Sequence, residues 1–118
     1  MTLELPWPPT LNTSWRRVGN RTVLSAKARR YRADVLAAVA EQGSPRLGTA
    51  RLAVTLTLHP PDRRRMDVDN RAKPALDALE FARVYANDSQ IDRLTIVRAE
   101  PRQGGALTVQ IEEIPGDS

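Results

Sequence analysis

The sequence predicts an α+β fold: a small mixed β-sheet packed by two α-helices, in a single domain over residues 1–118. Three observations carry this prediction. Several short segments alternate apolar and polar residues, the period of a half-buried strand. Two longer segments instead repeat apolar residues at helical spacing. A chain of 118 residues also suffices for one compact domain and not for two.

Thr2 to Leu5 alternates Leu3 and Leu5, and Pro6-Trp7-Pro8-Pro9 ends any regular element there. Residues 10–24 read as a loop with a weak hairpin turning near Gly19-Asn20. Ser25 is placed to cap a helix, in which Ala28, Tyr31, Val35, Ala38 and Val39 share a stripe. Gly43 is the natural stop, and residues 43–49 form a loop. Leu52, Val54, Leu56 and Leu58 then alternate strictly with Ala53, Thr55 and Thr57, giving a strand closed by Pro60-Pro61. The second helix is expected from about Asn70 to Arg83. Ala72, Ala75, Leu76, Leu79 and Ala82 face inward, and Pro74 falls in the first turn, where a missing N–H costs least. Leu94, Ile96 and Arg98 alternate with Thr95, Val97 and Ala99. After a Gly104-Gly105 turn, Leu107, Val109 and Ile111 form the last strand, expected as a hairpin with the one before. The tail from Pro115 is expected to fray. No internal repeat or linker divides the chain.

Composition narrows the function. Two Trp, two Tyr and one Phe leave a core of mostly aliphatic residues and alanine, within a hydrophobic fraction of 41%. Net charge is +4 and the pI is near 10.3, which favours a polyanionic partner, nucleic acid before membrane. The 16 Arg against 2 Lys reflect a coding bias as well, but bias does not explain their placement. There is no cysteine, so disulfides and thiolate metal sites are excluded. No charged-then-apolar leader opens the chain, and no apolar run nears the roughly 18 residues of a membrane span. The expectation is a soluble cytoplasmic protein without a membrane partner. No Gly-x-x-x-x-Gly-Lys loop occurs, so no nucleotide cofactor is expected.

The informative stretch runs from Arg63 to Pro74, Arg-Arg-Arg-Met-Asp-Val-Asp-Asn-Arg-Ala-Lys-Pro. A surface that only held a polyanion would gain by losing Asp67 and Asp69. Carboxylates inside a basic patch make sense if a divalent cation sits between them and a phosphate, which points to metal-dependent chemistry at a phosphodiester. Two conformations are open. Extended, Asp67 and Asp69 lie on one side and could share an ion. If the helix has already begun they diverge, and Asp69 is an N-cap. Asp69 or Asn70, Lys73 and Asp77 recur at spacings of three and four and share one helix face. They are either an ordinary ion-pair ladder or a lysine held beside the metal acids to steady an attacked phosphate. Asp88, after the second helix, is either a third acid or an Asn-Asp turn residue. Arg63, Arg64 and Arg65 are candidate phosphate contacts. So are Lys27, Arg29 and Arg30, on a basic face of the first helix. Trp7 reads as a core plug, with a stacking platform for a base as the alternative, and His59 as structural. An Asp-x-Asp phosphatase would need an apolar strand directly before the motif, and Arg-Arg-Arg-Met precedes it here.

The run Asp67-Val68-Asp69-Asn70-Arg71-Ala72-Lys73-Pro74-Ala75-Leu76-Asp77-Ala78-Leu79 resembles the Asp-x-Asp-Asn-x-x-Lys-x-x-x-Asp-Ala-Leu signature of RusA-type Holliday-junction resolvases. Leu5-Pro6-Trp7-Pro8-Pro9-Thr10-Leu11-Asn12, the Ser25-to-Val35 helix and Asn87-Asp88-Ser89-Gln90-Ile91 resemble three further blocks of that family. The likeness spans about residues 3–113. It implies a homodimeric endodeoxyribonuclease, dependent on Mg²⁺ or Mn²⁺, that resolves four-way DNA in recombination and repair and is often encoded by phages or prophages. The family's metal-binding acids would fall on Asp67, Asp69 and Asp88, and its catalytic lysine on Lys73. Asn87 stands where the family has the first acid of an Asp-Asp pair. The alternative is a branched-DNA-binding protein without catalysis.

Overall fold

The computed structural model describes residues 1–115; the fraying expected beyond Pro115 falls outside that range. The element order is β1 (Thr2–Leu5), β2 (Trp15–Val18), β3 (Arg21–Leu24), α1 (Ala26–Glu41), β4 (Leu52–His59), α2 (Asp69–Phe81), a 3-10 turn (Asp88–Gln90), β5 (Ile91–Arg98) and β6 (Ala106–Glu113). Four strands form a mixed sheet in the order β1-β6-β4-β5, with β4 and β5 parallel and the other pairs antiparallel. β2 and β3 form a separate two-stranded ribbon. The α+β architecture is as expected.

β4 is the organising strand. Leu52, Val54, Leu56 and Leu58 are all 1% exposed or less, and they meet Val35, Val39, Ala75, Leu79 and Tyr85 in one core. A strand this apolar is best covered by neighbours on both edges. That requirement overturns the expected hairpin between the last two strands. β6 crosses the end of β4 and pairs antiparallel with it, while β5 pairs parallel on the other side. The connection, residues 99–105, is longer than the roughly 2–5 residues of a hairpin loop. It is pinned to the end of β4 by Ala99 N–H to Leu58 O (2.8 Å) and Arg102 N–H to Pro60 O (2.9 Å).

Helix α1 begins as read: the Ser25 hydroxyl accepts from Ala28 N–H, and Gly43 takes a positive φ of 98° after the last turn. Helix α2 begins one residue earlier than expected, so Pro74 is its sixth residue and sits in the second turn. A helix would use an N–H at position 74 to bond the Asn70 carbonyl. Proline has none, and Leu11 N–H fills the vacancy at 2.8 Å. The proline thus ties the N-terminal segment to the start of α2.

Candidate active site

The loop from β4 to α2 carries the acids. Val68 has φ −66° and ψ −37°, which is helical, and Asp69 is the first residue of α2. The helix has thus already begun, and the extended alternative does not hold. Asp67 and Asp69 are joined by a helical residue, and Asp69 is not the cap, because Val68 occupies that position and no side chain caps the helix. Both acids are exposed. The preceding arginines turn elsewhere: Arg63 reaches Glu100 at 3.2 Å and Arg64 reaches Asp62 at 3.2 Å. Asp67 and Asp69 accept no hydrogen bond or ion pair among the described residues.

Lys73 lies one turn further along. Its Nζ donates to Asp88 Oδ2 at 2.6 Å and stands 3.0 Å from Asp77 Oδ1. One ammonium therefore gathers an acid from its own helix and one from the 3-10 turn 15 residues on. The hydrogen bond to Asp88 holds its pKa above the usual lysine range; partial burial opposes this and Asp77 adds to it. Lys73 is thus a proton donor and a fixed positive charge at neutral pH, not a base.

Asp88 is held by groups the sequence reading passed over. Its N–H donates to Glu80 Oε1 at 2.8 Å. Two residues on, Gln90 is 5% exposed. Its side-chain oxygen accepts from Ala86 and Asn87 N–H, and its nitrogen donates to the Gly48 and Ala50 carbonyls at 3.0 and 2.6 Å. Asn87 accepts from Ser89 N–H and completes a capping box with Gln90. The Asn-x-x-Gln spacing was the signal that could have revealed this. Asn87 thus has a structural task where the family pattern has an acid.

A second missed residue is Arg71. It donates to Pro8 O at 2.6 Å, and its guanidinium lies 4.8 Å from the centre of the Trp7 ring. Burial lowers its pKa. Trp7 also lies against Gly105, where a Cβ would come within 2.7 Å of Trp7 Cγ. Trp7 is therefore the plug expected, clamped between a glycine and the arginine two residues after Asp69. No local pattern announces a bond between residues 63 positions apart. Gly105→Ala should lose about 2–4 kcal/mol, combining strain at φ +75° with overpacking against the ring. Gly104→Ala, at φ +79° with open space around it, should lose only about 1–2 kcal/mol. Urea denaturation of the pair separates the contact from backbone strain.

The expected phosphate contacts do not form one face. Lys27 and Arg30 line a groove with Trp7 and Arg71. On the other side of Trp7 and Arg71 lies a second groove, lined by Arg64 and Arg65. Arg63 faces Arg98 and Glu100 instead. Arg29 turns back to donate to Leu24 O at 2.9 Å, because residues two apart on a helix diverge. His59 is structural as read, its Nδ1 2.9 Å from Glu100 O.

Among the described residues, no three acidic or histidine side chains converge as a preformed metal cage. The donor chemistry still fits a hard divalent cation: two free, exposed carboxylates precede a third that already holds a cationic group. No helix among these residues is long and apolar enough to cross a membrane.

Residues 6–112 match the family Endodeoxyribonuclease RusA. The chain is 36% identical over 110 residues to the crossover junction endodeoxyribonuclease rusA of Enterobacteria phage HK97, covering 93% of this chain and 92% of that protein. It is 35% identical over 113 residues to crossover junction endodeoxyribonuclease RusA of Escherichia coli K12, covering 95% and 93%. A third relative, from Enterobacteria phage 82, is 34% identical over 113 residues, again 95% and 93%.

Proposed function

The chain belongs to the RusA endodeoxyribonuclease family, and from that premise we propose that it cuts four-way DNA junctions by metal-dependent hydrolysis of paired strands. The observation that supports this most directly is the Lys73 ammonium held by Asp77 and Asp88, one helical turn from Asp69, with Asp67 just before the helix.

Asp67, Asp69 and Asp88 would hold Mg²⁺ or Mn²⁺, which when bound would activate water and offset phosphate charge. Lys73 contributes a hydrogen-bond donor and a positive charge directed at the attacked phosphate. Arg64 and Arg65 take backbone phosphates on one side of the Trp7–Arg71 clamp, Lys27 and Arg30 on the other, with little sequence information. Arg63 and Arg29 are outlying members of that set. A junction must be cut twice and one chain carries one such site, so the active form is a two-fold dimer.

The deciding experiment is cleavage of a synthetic four-way junction with Mg²⁺, with Mn²⁺ and with chelator. Symmetric cuts that need metal are expected. Tight binding without cuts under any metal would leave a junction-binding protein instead. If about six phosphates are neutralised, affinity should fall by roughly a thousandfold between 50 and 200 mM salt. Replacing Arg63, Arg64 and Arg65 together should flatten that slope, and an unchanged slope would move the track to α1.

A further inference from the structure

From Leu5 to Ala33 the chain contains no acid, yet it holds seven of the 18 basic residues. Three of these share one element. Arg16, Arg17 and Arg21 lie on the β2–β3 ribbon, immediately before the basic start of α1. The ribbon shares no strand pairing with the main sheet, and six of its eight residues are exposed. Its base is nevertheless fixed. Ser25 N–H donates to Ser14 O at 2.9 Å, the Ser25 hydroxyl donates to Thr13 O at 2.7 Å, and Arg29 bonds Leu24 O.

The register separates the two faces. Trp15 pairs with Leu24, and both line a small cavity with Ala28 and Tyr31 of α1. Arg16 pairs with Val23 and Val18 with Arg21, so Arg16 and Arg21 share the opposite face. They are diagonal neighbours, about 7–8 Å apart at the backbone. Arg17 reaches along the ribbon toward the Gly19 carbonyl. Neither Arg16 nor Arg21 has an acidic partner among the described residues, so nothing in the fold employs their charge.

We propose that the β2–β3 ribbon is a second DNA-backbone contact, holding a duplex arm through Arg16 and Arg21 beyond the Asp69–Lys73 site. Charge complementarity selects the polyanion, and the identification of that polyanion as DNA rests on the endonuclease reading above. A two-stranded ribbon is also narrow enough to lie against a duplex groove.

The test replaces Arg16 and Arg21 together with Gln, and in a second variant with Lys. Binding to a four-way junction is measured in chelator from 50 to 200 mM salt, so the readout does not depend on cleavage. Two lost phosphate contacts predict a fall across that range about 12-fold smaller than the wild type's. The Lys variant should restore the wild-type slope. Gln variants with unchanged slope and affinity would overturn the proposal, as would a slope lost equally in the Lys variant, which would mark a fold defect. Wild-type protein that binds junctions but never cuts them would remove the nuclease reading and leave the ribbon's role standing. Failure of the wild type to bind DNA would remove both.

Discussion

Asp88→Asn should lower junction cleavage by on the order of a thousandfold or more, comparable to deleting one preorganised charge from a transition-state site, while leaving junction binding intact or tighter. The variant removes a proposed metal ligand. It also removes negative charge from a surface that must accept phosphate, hence the direction expected for binding. Its consequence for Lys73 sets it apart from the other two acids. Asp88 is the 2.6 Å partner of Nζ, so the lysine would be left to Asp77 at 3.0 Å. Asp67→Asn and Asp69→Asn should be equally inactive, but neither disturbs a contact within the fold. Thermal melts should therefore show no change for Asp67→Asn and Asp69→Asn, and at most a small change for Asp88→Asn. The Lys73–Asp88 pair is partly exposed, and such pairs contribute little to stability. Full activity in the Asp69 variant would reduce that residue to the first residue of a helix. Full activity in the Asp88 variant would make the 3-10 turn a purely structural anchor for α2.

What the sequence disclosed followed from local rules. β4 and both helices were legible because strict alternation and helical spacing are imposed by a single core, and the caps at Ser25 and Gly43 by the chemistry of helix ends. The order of strands was not legible. Gly104-Gly105 is a genuine turn, but whether it folds back on β5 or carries the chain across β4 depends on which strand most needs covering. That is a tertiary competition no window contains. The site was half legible for the same reason. Acids two residues apart and a lysine four beyond Asp69 are local facts. The meeting of Lys73 with Asp88 depends on Glu80 and Gln90 holding a turn after the helix. The Trp7–Arg71–Gly105 clamp joins three segments distant in sequence. The ribbon was read as a weak hairpin because its residues lack an apolar stripe. That lack fits a ribbon placed outside the core.

Lys73→Ala should bind junctions nearly as well as the wild type and cut them about thirty- to a thousandfold more slowly. The structure contains both roles foreseen for this lysine. Its approach to Asp77 is an i,i+4 pair, the ladder reading, and such pairs contribute only about 0.3–0.5 kcal/mol on an exposed helix. With half of the Lys73 side chain exposed, stability alone gives no reason to place it there. Its bond to Asp88 is different, because Asp88 lies on a separate element positioned by a buried glutamine. An ammonium fixed from two sides, and kept protonated by its partners, is oriented before substrate arrives. Removing such a donor costs on the order of 2–4 kcal/mol of barrier, the rate range given above. Lys73→Arg should recover only part of the rate, since a planar guanidinium does not replace a compact ammonium between two carboxylates. Single-turnover rates at saturating magnesium, set beside urea denaturation of the same variants, separate the roles. Slow cutting with unchanged stability assigns Lys73 to the reaction. Wild-type cutting with a small loss of stability returns it to the ladder.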